Sequence, residues 1–96
     1  MVIRSVRHRG LRQLLEQDNP QFLRADLVGR ARNVLTVLAL ADDLDAFLAN
    51  APLGWRVHRL SGDRQREWSV SISRNWRITF EEDEGHIDGL NLEDYH

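Results

Sequence analysis

The sequence predicts an α+β fold: an N-terminal strand and a two-helix hairpin packed on one face of a mainly antiparallel sheet of four to five strands. Three observations carry this. Apolar residues in the first half recur with helical spacing. After Gly54 the period changes to two. Clusters of turn-forming residues at 18–20, 50–54, 61–65 and 83–85 cut the chain into short segments. A strand, a helix pair and a meander in that order make one sheet layer against one helix layer.

Residues 2–6 hold Val2, Ile3 and Val6 and suit a short strand. Across 10–17, Leu11, Leu14 and Leu15 share one helical face, and Asp18-Asn19-Pro20 ends that helix. A second helix is expected over 24–41, with Leu27, Ala31, Val34, Leu35 and Leu38 as its buried stripe. The short loop between the helices suggests an antiparallel hairpin. Asp42 or Asp43 can cap a further helical turn carrying Leu44, Phe47 and Leu48. Strands follow at 55–60 and 67–73, the latter with Trp68, Val70 and Ile72 on one face and Ser69, Ser71 and Ser73 on the other. Arg74-Asn75 connects to a strand at 76–81, where Trp76, Ile78 and Phe80 alternate with Arg77 and Thr79. The last strand spans 86–92, and Gly89 weakens it or marks a bulge.

With 96 residues, 42% apolar and 29% charged, the chain is expected to form one domain, residues 1–96. The absence of cysteine excludes a disulfide framework and a thiolate metal site. No window holds 18 uninterrupted apolar residues, so no membrane span is expected. The first six residues lack the apolar stretch of a signal peptide, and the cytoplasm is the expected compartment. The net charge of −2 hides an asymmetry. Residues 1–80 carry all 13 basic side chains, every one an arginine, against eight acids; residues 81–96 carry seven acids and no arginine. A basic body suits a polyanion such as RNA.

The groups able to do chemistry converge on one sheet face. If the apolar faces of the central strands meet the helices, Ser69, Ser71, Ser73, Arg77 and Thr79 lie opposite. His58 joins them if Val57 points inward. Asp94, Tyr95 and His96 follow the adjoining strand and can reach the same surface. There is no HExxH, no ligand spacing among the histidines, no glycine-rich phosphate loop and no nucleophile elbow. General acid–base chemistry with a cationic stabiliser remains, and it suits RNA cleavage without a metal or other cofactor. A base takes the ribose 2′-OH proton, the 2′-oxygen attacks phosphorus, a guanidinium holds the growing charge, and an acid protonates the departing 5′-oxygen. Tyr or Trp can stack on an unpaired base.

Longer strings are more specific. His58-Arg59-Leu60-Ser61-Gly62-Asp63-Arg64, Trp68-Ser69-Val70, Asn75-Trp76-Arg77-Ile78-Thr79-Phe80 and Glu93-Asp94-Tyr95-His96 resemble the HigB toxins of the RelE/ParE superfamily. Arg7-His8-Arg9-Gly10-Leu11 resembles the start of that family's first helix. The resemblance spans essentially the whole chain. It implies an mRNA endonuclease working on the translating ribosome and neutralised by a helix-turn-helix antitoxin of the HigA type. Operator DNA would be bound only through the antitoxin. The catalytic set it implies is His58, Arg77, Asp94, Tyr95 and His96. Arg77 would stabilise the phosphorane, Asp94 or His96 would be the base, His58 the acid or a phosphate clamp, and Tyr95 would orient or stack. The choice of base and acid stays open. The family usually has Lys where this chain has Ser61, and Arg59 or Arg64 is the substitute cation. Arg59 shares the parity of Val57, so it should face away from His58; Arg64 lies in the turn and can reach over. Arg4, Arg7, Arg9, Arg12, Arg24, Arg30 and Arg32 are the further candidates for RNA phosphate. The alternative is a non-catalytic or weakened module of the same fold, either a gyrase poison or an antitoxin-bound co-repressor.

Overall fold

Burial of one helical stripe and one sheet face against each other organises the chain. The computed structural model describes residues 1–95; the expectation for His96 lies outside the described residues. The elements are β1 (Val2–Ile3), α1 (Arg9–Gln17), α2 (Val28–Leu40), α3 (Leu44–Asn50), β2 (His58–Arg59), β3 (Glu67–Ser71), β4 (Trp76–Asp83) and β5 (His86–Asp94). The sheet order is β1-β5-β4-β3-β2. Strand β1 runs parallel to β5, and every other pairing is antiparallel. The α+β architecture expected from the sequence is the one found.

The predicted stripe of the second helix is buried in full: Leu27, Ala31, Val34, Leu35 and Leu38. It meets Val70, Ile78 and Phe80 from the sheet and Phe47 from α3 in one core. Phe47 and Phe80 stack edge to face, with centroids 5.9 Å apart. Asp43, one of the two candidate caps, accepts from the Ala46 N–H at 2.8 Å and starts α3. The helix expected at 24–41 begins instead with a tight turn over Ala25–Leu27, in which Leu27 N–H donates to the Arg24 carbonyl at 3.0 Å.

Three strands are shorter than expected, and the third of them, β3, stops at Ser71 instead of Ser73. Of residues 55–60, only His58–Arg59 pair with β3. Trp55 ends a 3-10 turn and packs its ring on Phe47, and Arg56 turns the chain at φ 47°. Core packing of the indole thus overrides its strand propensity. Of residues 2–6, Val2 and Ile3 pair with β5, and Val6 bridges to Leu90. Between them, Ser5 accepts from the Gly89 and Leu90 N–H groups, by its hydroxyl at 2.7 Å and its carbonyl at 3.1 Å. Gly89 has φ 63°, and the β4–β5 register shifts beside it. The bulge expected at Gly89 is present.

Helix α1 depends on its first residues. His8 Nδ1 accepts from the N–H groups of Gly10 (3.0 Å) and Leu11 (3.3 Å), doing the work usually given to Ser or Asp. At Gly10 the backbone of residues 22–23 crosses so closely that a Cβ would stand 2.4 Å from the Phe22 carbonyl oxygen. Gly10→Ala is therefore expected to cost about 1–3 kcal/mol, measured as a lower urea midpoint; a wild-type midpoint would contradict the close approach.

The cap also sets a pH dependence. Burial lowers the His8 pKa below the usual histidine value. Below about pH 6.5 the unfolded chain takes a proton that the folded cap resists, so stability falls as pH drops. His8→Asn keeps an acceptor without the titration. It should fold as well as wild type at pH 7.5 and lose less stability between pH 7 and 5. An identical slope in both proteins would exclude the cap as its source.

Candidate active site

Strand register places the chemistry-bearing residues in rows. His58, Ser69, Thr79 and Asn91 lie across from one another on β2, β3, β4 and β5. The next row is Ser71, Arg77 and Glu93. Paired residues in a sheet share a face, so both rows lie opposite the core residues Val70, Ile78 and Leu92. His58 and Arg77 therefore share the face opposite the helices, two strands apart. His58 Nδ1 lies 2.7 Å from the Arg56 carbonyl oxygen. A carbonyl only accepts, so Nδ1 carries the hydrogen and Nε2 is the nitrogen a substrate would meet.

Glu93 is the centre of this face. Arg77 donates to its Oε1 from Nε at 2.9 Å, and its Nη2 lies 2.8 Å away. Arg64 donates to the two oxygens of Glu93 at 2.9 and 3.2 Å. Arg64 also makes a fork with Glu67, at 2.7 and 2.8 Å. Since Glu67 is on β3 and Glu93 on β5, the Arg64 guanidinium spans β4. That accounts for the burial of Ser69 and Thr79, which the alternation placed on an open face. The Thr79 hydroxyl is buried with no hydrogen-bond partner among the described residues.

Electrostatics follows from the geometry. Desolvation pulls the Glu93 carboxyl upward, but the hydrogen bonds and charges of Arg64 and Arg77 outweigh it, and its pKa falls below the usual range. The Arg64 bond does the same to Glu67. Arg64 itself is held protonated more firmly than a solvated arginine by Glu67 and Glu93. Arg77 is the less exposed arginine, its side chain 17% accessible. Its guanidinium carbon lies 4.9 Å from the Tyr95 ring centroid. The Tyr95 hydroxyl is 3.4 Å from Ser71 Oγ, and its N–H donates to the Asn75 carbonyl at 3.1 Å. The chain is thus tied down as far as Tyr95.

The structure brings His58, Arg77 and Tyr95 to one face. Asp94 pairs with Trp76 and has the parity of Leu92, so the register sets it on the other side of the strand. Arg59 lies over the Trp68 ring at 5.3 Å, facing away from His58 as its parity predicts. The remaining arginines do not form one stripe. Arg4 pairs with Asp88, Arg24 with Asp26 and Arg32 with Asp18. Arg9 lies 4.1 Å over the Phe22 ring, and Arg30 donates to the Ile72 carbonyl at 2.9 Å. Arg7 passes beside Gly89, and both Arg7 and Arg12 are exposed. Among the described residues, no three His, Asp or Glu side chains are grouped to hold a metal ion. No helix is long and apolar enough to cross a membrane. In the sequence Glu93 stands in a motif without a role, and neither Arg56 nor Arg74 carries a functional signal.

Comparison with known proteins bears on the fold and the family. The crystal structure of YafQ from E. coli strain BL21(DE3) superposes with a TM-score of 0.60 over 97% of this chain and 91% of that one, at 8% identity. A histidine-to-glutamine mutant of YafQ superposes with a TM-score of 0.62 over the same shares. The chain thus shares the fold of YafQ. No family model matches the chain. Endoribonuclease HigB of Proteus vulgaris is 35% identical over 95 residues, covering 99% of this chain and 100% of that protein. The chain belongs to the HigB family of toxin endoribonucleases.

The shared carboxylate gives a direct test. Glu93→Gln should destabilise the fold by about 1–3 kcal/mol at pH 7, because two guanidinium groups lose a charged acceptor. The lowered pKa makes the Glu93 contribution complete above the ordinary glutamate range, and it fades as pH falls below that range. The variant should therefore lose less stability than wild type between pH 6 and pH 3. Equal losses in urea titrations would show that Glu93 does not hold the cluster.

Proposed function

We propose that this toxin endoribonuclease cuts mRNA on the ribosome by attack of the ribose 2′-OH, with no metal ion. The observation that carries the proposal is a guanidinium, Arg77, fixed between Glu93 and Tyr95 on the sheet face that also presents His58. The catalytic set is His58, Arg77, Tyr95 and His96; Asp94, on the other side of the last strand, is left out of it. One group of the set removes the 2′-OH proton. The 2′-oxygen attacks the adjacent phosphorus and the bond to the 5′-oxygen breaks, leaving a 2′,3′-cyclic phosphate and a 5′-hydroxyl. Arg77 balances the charge that builds on the phosphorane, and a second group of the set protonates the departing oxygen. His58, oriented through Nδ1, offers Nε2 for acid work or as a phosphate clamp. Tyr95 orients the substrate or stacks on a base.

Arg64 supports catalysis over the non-catalytic alternative. That alternative gained ground from Ser61, where the family usually carries a lysine. Arg64 lies three residues further on and brings a cation to the same carboxylate that holds Arg77. Its role is to supply positive potential beside the scissile phosphate. A helix-turn-helix antitoxin of the HigA type neutralises the protein, operator DNA is bound only through that antitoxin, and the cytoplasm is the compartment.

Induced expression separates the readings. Arg77→Ala and His96→Ala should each relieve growth arrest, with cleavage reduced roughly 100-fold or more. Primer extension on wild-type induction should show codon-linked cuts. Full toxicity in both variants would remove the catalytic assignment, and intact transcripts with DNA damage would point to a gyrase poison.

A further inference from the structure

Beside the catalytic face lies a cleft of ≈ 620 Å³ between the start of α2, the loop before β2 and the β3–β4 connection. Arg30, Arg56 and Arg74 line it, together with Trp55, Ser71 and Tyr95. Among the described residues no carboxylate lines it, and none of these three arginines forms an ion pair. A second hollow, around Arg4, Arg59 and Arg66, is lined by Glu81, Glu82, Asp83 and Asp88 and would repel a polyanion.

The cleft is joined to the catalytic face at two points. Arg56 holds φ 47°, a left-handed conformation that non-glycine residues rarely adopt. Its carbonyl accepts the bond that orients His58, so one backbone turn sets both the cleft rim and the imidazole. Tyr95 forms the other junction. Arg77 lies against its ring, its hydroxyl meets Ser71, and it lines the cleft. Trp55 is seated rigidly, packed on Phe47 with centroids 6.3 Å apart. Unpaired guanidinium groups alternating with aromatic surface match a single-stranded nucleic acid, with phosphates on the cations and a base against a ring.

We propose that this cleft is a nucleotide subsite holding the single-stranded RNA next to the scissile phosphate, with Arg56 and Arg74 on the backbone and Trp55 and Tyr95 against the base. The proposal rests on the endoribonuclease reading and assigns the neighbouring nucleotide a place. Arg30, already anchored on the Ile72 carbonyl, adds positive charge at the back of the cleft.

The test is single-turnover cleavage of mRNA on programmed ribosomes by wild type and by the double variant Arg56→Gln/Arg74→Gln. Both side chains are exposed and outside the core. The variant should cleave about tenfold more slowly, the loss of two phosphate contacts. Neutral methylphosphonate linkages, placed singly at deoxy-substituted nucleotides on either side of the cut, complete the cycle. At one or two positions the neutral linkage should slow wild type yet slow the variant by less than about twofold further, because the contact is already gone. Wild-type rates in the variant, or losses that multiply at every position, overturn the subsite. A variant that cuts normally but escapes its antitoxin assigns the cleft to an acidic peptide and also overturns it. A wild-type protein that cuts no message overturns the endoribonuclease reading itself, a different result from a cutting enzyme indifferent to Arg56 and Arg74.

Discussion

One carboxylate, Glu93, lets two guanidinium groups occupy the centre of the same sheet face. Without it Arg64 and Arg77 would repel each other over a surface that the Arg64 chain itself shields from water. With it, the segment carrying Arg64 is strapped across β4, and Arg77 is turned beneath Tyr95. Partly buried ion pairs stabilise a fold weakly, because desolvation offsets most of the attraction. Their gain here is geometric. A guanidinium that meets one carboxylate oxygen through both Nε and Nη2 has a fixed plane, which a lysine ammonium would lack. For a group that must meet a phosphorane, direction matters more than charge alone.

Much of the fold was legible because periodicity is a local record of burial. The stripe from Leu27 to Leu38 and the alternation through Val70, Ile78 and Phe80 each report one dry face, and each is dry. What was not legible depended on partners distant in sequence. Trp55 looked like the start of a strand because an indole suits a pleated surface; its ring instead fills space beside Phe47, and the strand shrinks to His58–Arg59. The capping role of His8 was not legible, since histidine is an uncommon cap and only the fold of the backbone reveals the two N–H groups from which it accepts.

Charge shows the same division between local and distant information. Along the sequence the acids collect in the last sixteen residues and the arginines before them, which looks like a basic body with an acidic edge. Folding sets β5 inside the sheet, between β1 and β4. Asp88 then meets Arg4, and Glu93 meets Arg64 and Arg77, while Glu81, Glu82 and Asp83 keep an acidic hollow. Arg56 and Arg74, which composition could not distinguish from the other arginines, keep their charge facing the cleft.

The bulge at Gly89 explains why the central carboxylate was hardest to read. The hairpin begins with Asp83 opposite His86, Glu82 opposite Ile87 and Glu81 opposite Asp88. Continued without interruption, that register would set Arg77 against Leu92. Leucine would then face the polar side, and Glu93 would point at the helices. One extra residue in β5, made possible by a glycine at φ 63°, shifts the pairing to Arg77 with Glu93 and Ile78 with Leu92. The shift returns Leu92 to the core and delivers the carboxylate to the guanidinium in a single step. A plain alternation count from the turn gives the wrong partner, although it predicts the core residues Val70, Ile78 and Phe80 of β3 and β4. Only the joint demand that Leu92 be buried and Arg77 be paired selects the bulged register. In this fold, then, the site and the hydrophobic core are solved by the same backbone irregularity.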